Sequence, residues 1–274
     1  VKNSNEVLKS YLEAGSGKVR MDMLRMLLSS FFAGMFIALG AFGSQVASGC
    51  ASSAAAGKML CAVVFPVGLT MVLISGVELF TGNNLLIIAA RAKTPSGSYV
   101  NFPQLLRSLV IVYIGNFIGS LFVAFLVVYS HMPSLFGGAL AKAMVAAAAG
   151  KLTLTPVEAV FRGILCNILV CVAVWLSLAA GELSGRIQAL FLPTMLFVLC
   201  GFEHCVANMY FIPAGLMTAS SYGITAPQIT GGMQDIVHML VRNLLPVTVG
   251  NLIGGMFIVG MGYCLLFNEK ARQD

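Results

Sequence analysis

The sequence predicts an all-α membrane protein with six transmembrane helices in an inverted repeat of three plus three, helices 2 and 5 being broken. Three observations carry that prediction. Hydrophobic residues make up 58% of the 274-residue chain and charged residues only 9%, which leaves too little polar surface to wrap a soluble globule. Charges are widely spaced: Glu78 alone interrupts 59–90, and none lies in 108–141, 163–181 or 243–268. Finally, "GVELFTGN" at 76–83 and "GFEHCVAN" at 201–208 share Gly76/Gly201, Glu78/Glu203 and Asn83/Asn208 at the same offsets.

Taken in order, residues 1–25 form a cytoplasmic N-terminal segment. Val7, Leu8, Tyr11 and Leu12 recur at helical spacing, a stripe closed by the flexible Gly15-Ser16-Gly17, as in an amphipathic helix lying on the inner membrane face. This charged start does not read as a secretory signal of the usual short kind. Runs able to cross a hydrocarbon core, about 20 residues each, follow at 26–48, 59–91, 105–130, 157–180, 187–222 and 243–267. The runs at 59–91 and 187–222 are too long for simple spans. They make a transmembrane domain over 26–267 with halves at 26–131 and 157–267, then a cytoplasmic tail at 268–274. Between the halves, "AAAAG" at 146–150 is a small-residue segment beside Lys151, and 223–241 reads as a solvated loop. Eleven of the 16 Lys and Arg residues fall on the side that holds both termini, so both termini are expected in the cytoplasm of a multi-pass plasma-membrane protein, the inner membrane in a bacterium. The net charge of +6 reflects this bias and contact with anionic lipid; no nucleic-acid partner is expected.

A unit of three crossings has an odd number of spans, so its second copy must enter from the opposite side. Folds of this kind put their pathway where the halves meet, between discontinuous helices. A break strands backbone N–H and C=O groups that lipid cannot satisfy, and the side chains of Glu78, Glu203, Asn83 and Asn208 suit bonding to them. His204 has no such reading, since its counterpart in the first half is Leu79. It is the stronger functional candidate, because an ionisable side chain at membrane depth costs a few kcal/mol or more. "GNFIGSL" at 115–121 and "GNLIGGM" at 250–256 put Gly115/Gly119 and Gly250/Gly254 on one helix face, a packing signal. The seven cysteines, Cys50 among them, show no CxxC pair. Cys200, His204 and Cys205 lack a second ligand cluster, so neither a metal nor another cofactor is expected.

Four dispersed segments, "ELFTGN", "FRGILCNILVC", "GFEHCVANM" and "NLLPVTVGNLIGG", together resemble the formate/nitrite transporter family over about 7–267. The resemblance implies a homopentamer whose protomers each carry a pore, an aquaporin-like six-helix protomer, and passage of small monovalent anions or their conjugate acids: formate, nitrite or hydrosulfide. Carried over by position, it makes His204 the central pore residue and Thr81 its hydroxyl partner. Leu69, Phe80 and Phe197 match apolar constrictions, Lys151 a vestibule lysine that draws anions in, and Asn167 and Asn208 structural polar positions. Arg162 departs from the pattern of some relatives, which carry an apolar residue there. An imidazole with an ordinary pKa of about 6.5 can give either a hydrogen bond or a proton to a bound anion, and the sequence leaves both open. An aquaporin-type neutral-solute channel is the alternative, without the expected Asn-Pro-Ala pair. An enzyme would need a catalytic set, and no HExxH, Gly-x-Ser-x-Gly or nucleotide loop occurs.

Overall fold

A computed structural model describes residues 1–49, 51–91 and 100–267; Cys50 and the 268–274 tail lie outside the described residues. Apart from one isolated bridge between Ala226 and Ile229, the regular structure described is helical. In chain order the helices are α1 (Ser4–Arg20), α2 (Met23–Gly49), α3 (Ala54–Val64), α4 (Pro66–Ser75), α5 (Phe80–Asn83), α6 (Ile87–Arg91) and α7 (Phe102–Tyr129). Then come α8 (Ala139–Leu152), α9 (Pro156–Ala179), α10 (Leu183–Cys200), α11 (Cys205–Tyr222), α12 (Met233–His238), α13 (Leu245–Leu252) and α14 (Gly262–Phe267). Wider, π-type turns over Met239–Leu244 and Ile253–Met261 join the last three.

Start signals explain three of these helices. Asn3 with Glu6, Asn101 with Gln104 and Thr155 with Glu158 form reciprocal capping boxes, and Pro103 and Pro156 stand in the first turns of α7 and α9. Helix α1 differs from expectation in two ways. It continues through Gly15-Ser16-Gly17, because Gly15 is buried where a Cβ would press on Leu86 and Ala89. Its apolar stripe packs on α6, α7, α9 and α14 rather than on lipid, while Glu6, Lys9 and Glu13 on the opposite face are exposed.

Among the described residues seven stretches are long and apolar enough to cross a membrane, against the six read from sequence. The additional one is 132–152, whose second part is α8. Alanine is the best helix former, so the segment "ALAKAMVAAAAGKL" is a helix although two lysines interrupt its apolar run and glycines precede it. The 223–241 stretch is also more ordered than a solvated loop: Asp235 is buried and accepts from Thr230 and Gly231 N–H groups at 2.8–3.1 Å.

Helix α2 packs along α7, and α9 along α13. The two pairs are built alike. A Cβ on Gly119 would collide with the carbonyl of Phe31 on α2, and one on Gly254 with the carbonyl of Ile164 on α9. Glycine here lets two backbones touch. On the outer face of α7, Val110, Ile114, Ile118, Phe122 and Phe125 are exposed, an inversion of the soluble pattern that suits lipid or a neighbouring subunit.

This close approach is directly testable. Gly254→Ala is expected to destabilise the detergent-solubilised protein by about 1–3 kcal/mol through overpacking, a fall of several degrees in Tm at roughly 2–4 °C per kcal/mol. Gly262→Ala adds a methyl that meets nothing within 4 Å and is expected to hold or raise Tm, since alanine exceeds glycine in helix propensity by about 1 kcal/mol. Equal Tm values for the two variants, measured by thermal unfolding, would contradict the packing account.

Candidate functional site

Two breaks face each other across the bundle. Helix α4 ends at Gly76, with φ of 71°, and α10 at Gly201, with φ of 72°. Both adopt the left-handed conformation that costs glycine nothing. After each, three residues run without helical bonds before α5 and α11 begin.

Starting a helix inside apolar surroundings exposes backbone donors that need partners. Asn116 meets this need at the first break: its side-chain oxygen accepts the Phe80 N–H at 2.8 Å, and its amide donates to the carbonyls of Ser30 at 2.8 Å and Glu78 at 3.0 Å. Asn251 does the same at the second, accepting the Cys205 N–H at 3.0 Å and donating to Gly163 at 2.8 Å and Glu203 at 3.0 Å. Sequence reading gave this work to Glu78, Glu203, Asn83 and Asn208, and took the Gly-Asn segments for packing alone. The available signal was Asn116/Asn251, repeated at the same offset as the glycines beside them.

The two glutamates instead face side chains. Glu78 pairs with Lys18 of α1 at 3.0 Å and accepts from Asn83 at 2.7 Å. Glu203 pairs with Lys151 of α8 at 2.9 Å and accepts from Asn208 at 2.6 Å. A buried carboxylate stripped of its cation would be costly, so each pair holds its break in place. Lys151 is thus engaged with Glu203 and is not a free cation. Its ammonium also lies 5.2 Å from the centroid of the Phe211 ring.

Between the breaks, His204 and Thr81 meet. The imidazole Nε2 lies 2.9 Å from Thr81 Oγ1, and both residues are buried. His204 also caps α11, its Nδ1 accepting the Ala207 N–H at 3.1 Å. An acceptor Nδ1 puts the proton of the neutral ring on Nε2, so Nε2–H points at the Thr81 oxygen. Asn167 secures the backbone nearby, donating to the Thr81 carbonyl at 3.3 Å and the Asn251 carbonyl at 2.7 Å.

Phe197 stacks on His204 at 5.9 Å between ring centroids. Phe65 then meets Phe197 edge-on at 5.6 Å, and Phe211 stacks on Phe65 at 6.5 Å. A row of aromatic rings therefore runs from the imidazole to Lys151, and Phe65 and Phe211 were not among the residues singled out from sequence. Leu69 is buried in the same apolar cluster. Phe80 belongs to that cluster too, and its ring packs edge-on against Tyr113 at 4.9 Å and borders a groove of about 720 Å³ between α7 and 240–257. The Arg162 side chain is half-buried, and its backbone carbonyl accepts the Glu203 N–H at 3.2 Å. Among the described residues no group of three or more His, Cys, Asp or Glu side chains is placed to hold a metal.

Comparison with known proteins agrees with this architecture. A model of the family described as formate/nitrite transporter matches residues 5–265. The formate channel FocA of Haemophilus influenzae is 37% identical over 74% of this chain and 72% of its own length. An uncharacterized transporter of Bacillus subtilis, YrhG, is 34% identical over 98% and 95% of the two chains. Among solved structures, a pentameric formate channel with formate bound superposes with a TM-score of 0.78 at 32% identity, covering 90% of this chain and 98% of that one. With the family model spanning nearly the whole sequence and full-length relatives above 30% identity, this chain belongs to the formate/nitrite transporter family.

Proposed function

We propose that the protein passes small monovalent anions of the formate type across the membrane, with His204 and Thr81 forming the central binding point. The observation that carries this reading is the buried 2.9 Å contact between Nε2 and Thr81 Oγ1, formed by two segments 123 residues apart in sequence. Relatives described as formate channels, and a solved relative that is pentameric with formate bound, support both the cargo and a pentamer here. Nitrite and hydrosulfide are further candidate cargoes. The matched breaks, with Asn116 and Asn251 in like roles, support an inverted repeat of two halves, and the Lys and Arg bias supports cytoplasmic termini.

An anion that loses its water in an apolar passage needs a donor. Here the imidazole offers one at no cost to its other bond. The anion oxygen replaces Thr81 Oγ1 as acceptor of Nε2–H, and the Thr81 hydroxyl turns its own hydrogen to the anion. Transferring the Nε2 proton from this neutral ring would leave an imidazolate, and adding a proton at Nδ1 would break the cap on Ala207. Hydrogen-bond donation is the step this arrangement favours, and Phe197 and Leu69 form the apolar collar around it. Proton-coupled passage would require the ring to release Ala207 first. Lys151, neutralised by Glu203, serves to hold that break. Lys58, whose ammonium lies 3.6 Å from where a Gly201 Cβ would stand, adds positive charge at the same mouth.

His204→Gln separates the two mechanisms. Glutamine offers an acceptor for the Ala207 N–H and a donor for the anion, but cannot titrate. Formate influx into proteoliposomes is expected to persist in this variant within about tenfold of the parent, a change of about 1.4 kcal/mol in barrier. Complete loss of flux would show instead that a transferable proton is needed.

A further inference from the structure

A cavity of about 220 Å³ opens where α1, the first break, α9 and α10 meet. Its lining includes Lys18, Leu79, Asn83, Ser177 and Arg186. Lys18 has its ammonium on Glu78 at 3.0 Å and on the Asn83 side-chain oxygen at 3.1 Å, and the Ser177 hydroxyl donates to the Val174 carbonyl at 2.7 Å. Arg186 stands apart from them. It lies in the first turns of α10, is half-buried, and among the described residues its guanidinium has neither an ion-pair nor a hydrogen-bond partner. Leu79, in the same wall, directly precedes Phe80 and Thr81, so the cavity abuts the segment that carries the central hydroxyl.

We infer that Arg186 forms an entry subsite for planar anions bearing two oxygens on one atom, on the side of the N-terminal helix. The guanidinium presents parallel N–H donors in a fixed fork that two such oxygens accept together, at about 2.7–2.9 Å each. Formate, nitrite and acetate have that shape. Hydrosulfide and chloride present one atom and can answer only the charge. Partial burial strengthens the interaction relative to bulk water; the described residues lining the cavity include no carboxylate, and Glu78 is held by Lys18 and Asn83. A single fork binds weakly enough to release the anion inward, as conduction requires.

The inference rests on the reading of anion passage, and the experiment keeps the two apart. Purified protein is titrated with ¹³C-formate, and initial rates of formate, nitrite and hydrosulfide influx are measured in proteoliposomes, for the parent, Arg186→Lys and Arg186→Gln. Lysine keeps the charge and removes the fork. In Arg186→Lys the concentration for half-maximal formate and nitrite influx is expected to rise about tenfold, or 1.4 kcal/mol, with formate binding weakened in parallel and hydrosulfide within twofold of the parent. Arg186→Gln is expected to weaken all three. Equal losses for formate and hydrosulfide in Arg186→Lys, or parental behaviour in both variants, would overturn the subsite. A parent protein that conducts none of these anions would sink the passage reading, while the formate titration would still decide whether the fork binds.

Discussion

His204→Phe is expected to abolish formate influx while the protein still folds. Phenylalanine is larger than histidine by about one ring carbon with its hydrogen but keeps a ring to stack on Phe197, which lies 5.9 Å away. It lacks both ring nitrogens. A hydrogen bond to a charged group contributes about 1.5–3 kcal/mol, and the anion would face the apolar collar with the desolvation cost of an unpaired charge added to that. A loss of at least about 100-fold in flux follows, since each 1.36 kcal/mol is tenfold. The fold loses the cap from Nδ1 to the Ala207 N–H, about 0.5–2 kcal/mol, too little to unfold a domain of ordinary stability. Influx into proteoliposomes, with elution volume and Tm recorded on the same preparation, checks both halves. Undiminished formate influx in a well-folded variant would remove His204 from the pathway.

Asn251→Leu is expected to cause the largest loss of stability. Leucine has the branching and heavy-atom count of asparagine but is bulkier, so some overpacking adds to the loss at this fully buried position. Two buried groups lose their partner, the Cys205 N–H and the Glu203 carbonyl, and the Gly163 carbonyl, inside α9, keeps only its helical bond. Each unsatisfied group costs about 1–3 kcal/mol, and the two together, roughly 2–6 kcal/mol, are a large part of the 5–15 kcal/mol that holds a typical domain together. Folded yield in detergent should collapse. Asn251→Asp keeps the acceptor for Cys205 and loses the donors, so its Tm is expected to fall between leucine and the parent. Asn116→Leu should act alike at the first break, where Phe80, Ser30 and Glu78 depend on it. A Tm within 2 °C of the parent for Asn251→Leu, against the 2–4 °C expected per kcal/mol, would show that water or a shifted side chain takes over these bonds.

Legibility differed by element, for physical reasons. The long apolar runs were plain because a helix in lipid must be apolar around most of its circumference, and composition records that directly. Helix α8 was missed because Lys142 and Lys151 interrupt its apolar run, while its alanines favour a helix all the same. The stop assigned at Gly15-Ser16-Gly17 came from intrinsic propensity, which packing against Leu86 and Ala89 overrides. The roles of Asn116 and Asn251 were hidden for another reason. In one dimension an asparagine beside a Gly-x-x-x-Gly pair looks like part of a packing face, and its partners lie 36 and 46 residues away.

By itself, then, the sequence determined that this chain is an all-helical membrane protein of the formate/nitrite transporter family, because burial preference and recurring motifs are properties of residues in order along the chain. Only the tertiary structure decided which donor faces which acceptor: that Lys151 is held by Glu203, that Asn116 and Asn251 carry the broken helices, that Nε2 of His204 points at Thr81, and that Arg186 lines a cavity beside the first break. Hydrogen bonds and ion pairs act over about 3 Å in space, and the distance along the chain carries no record of that proximity.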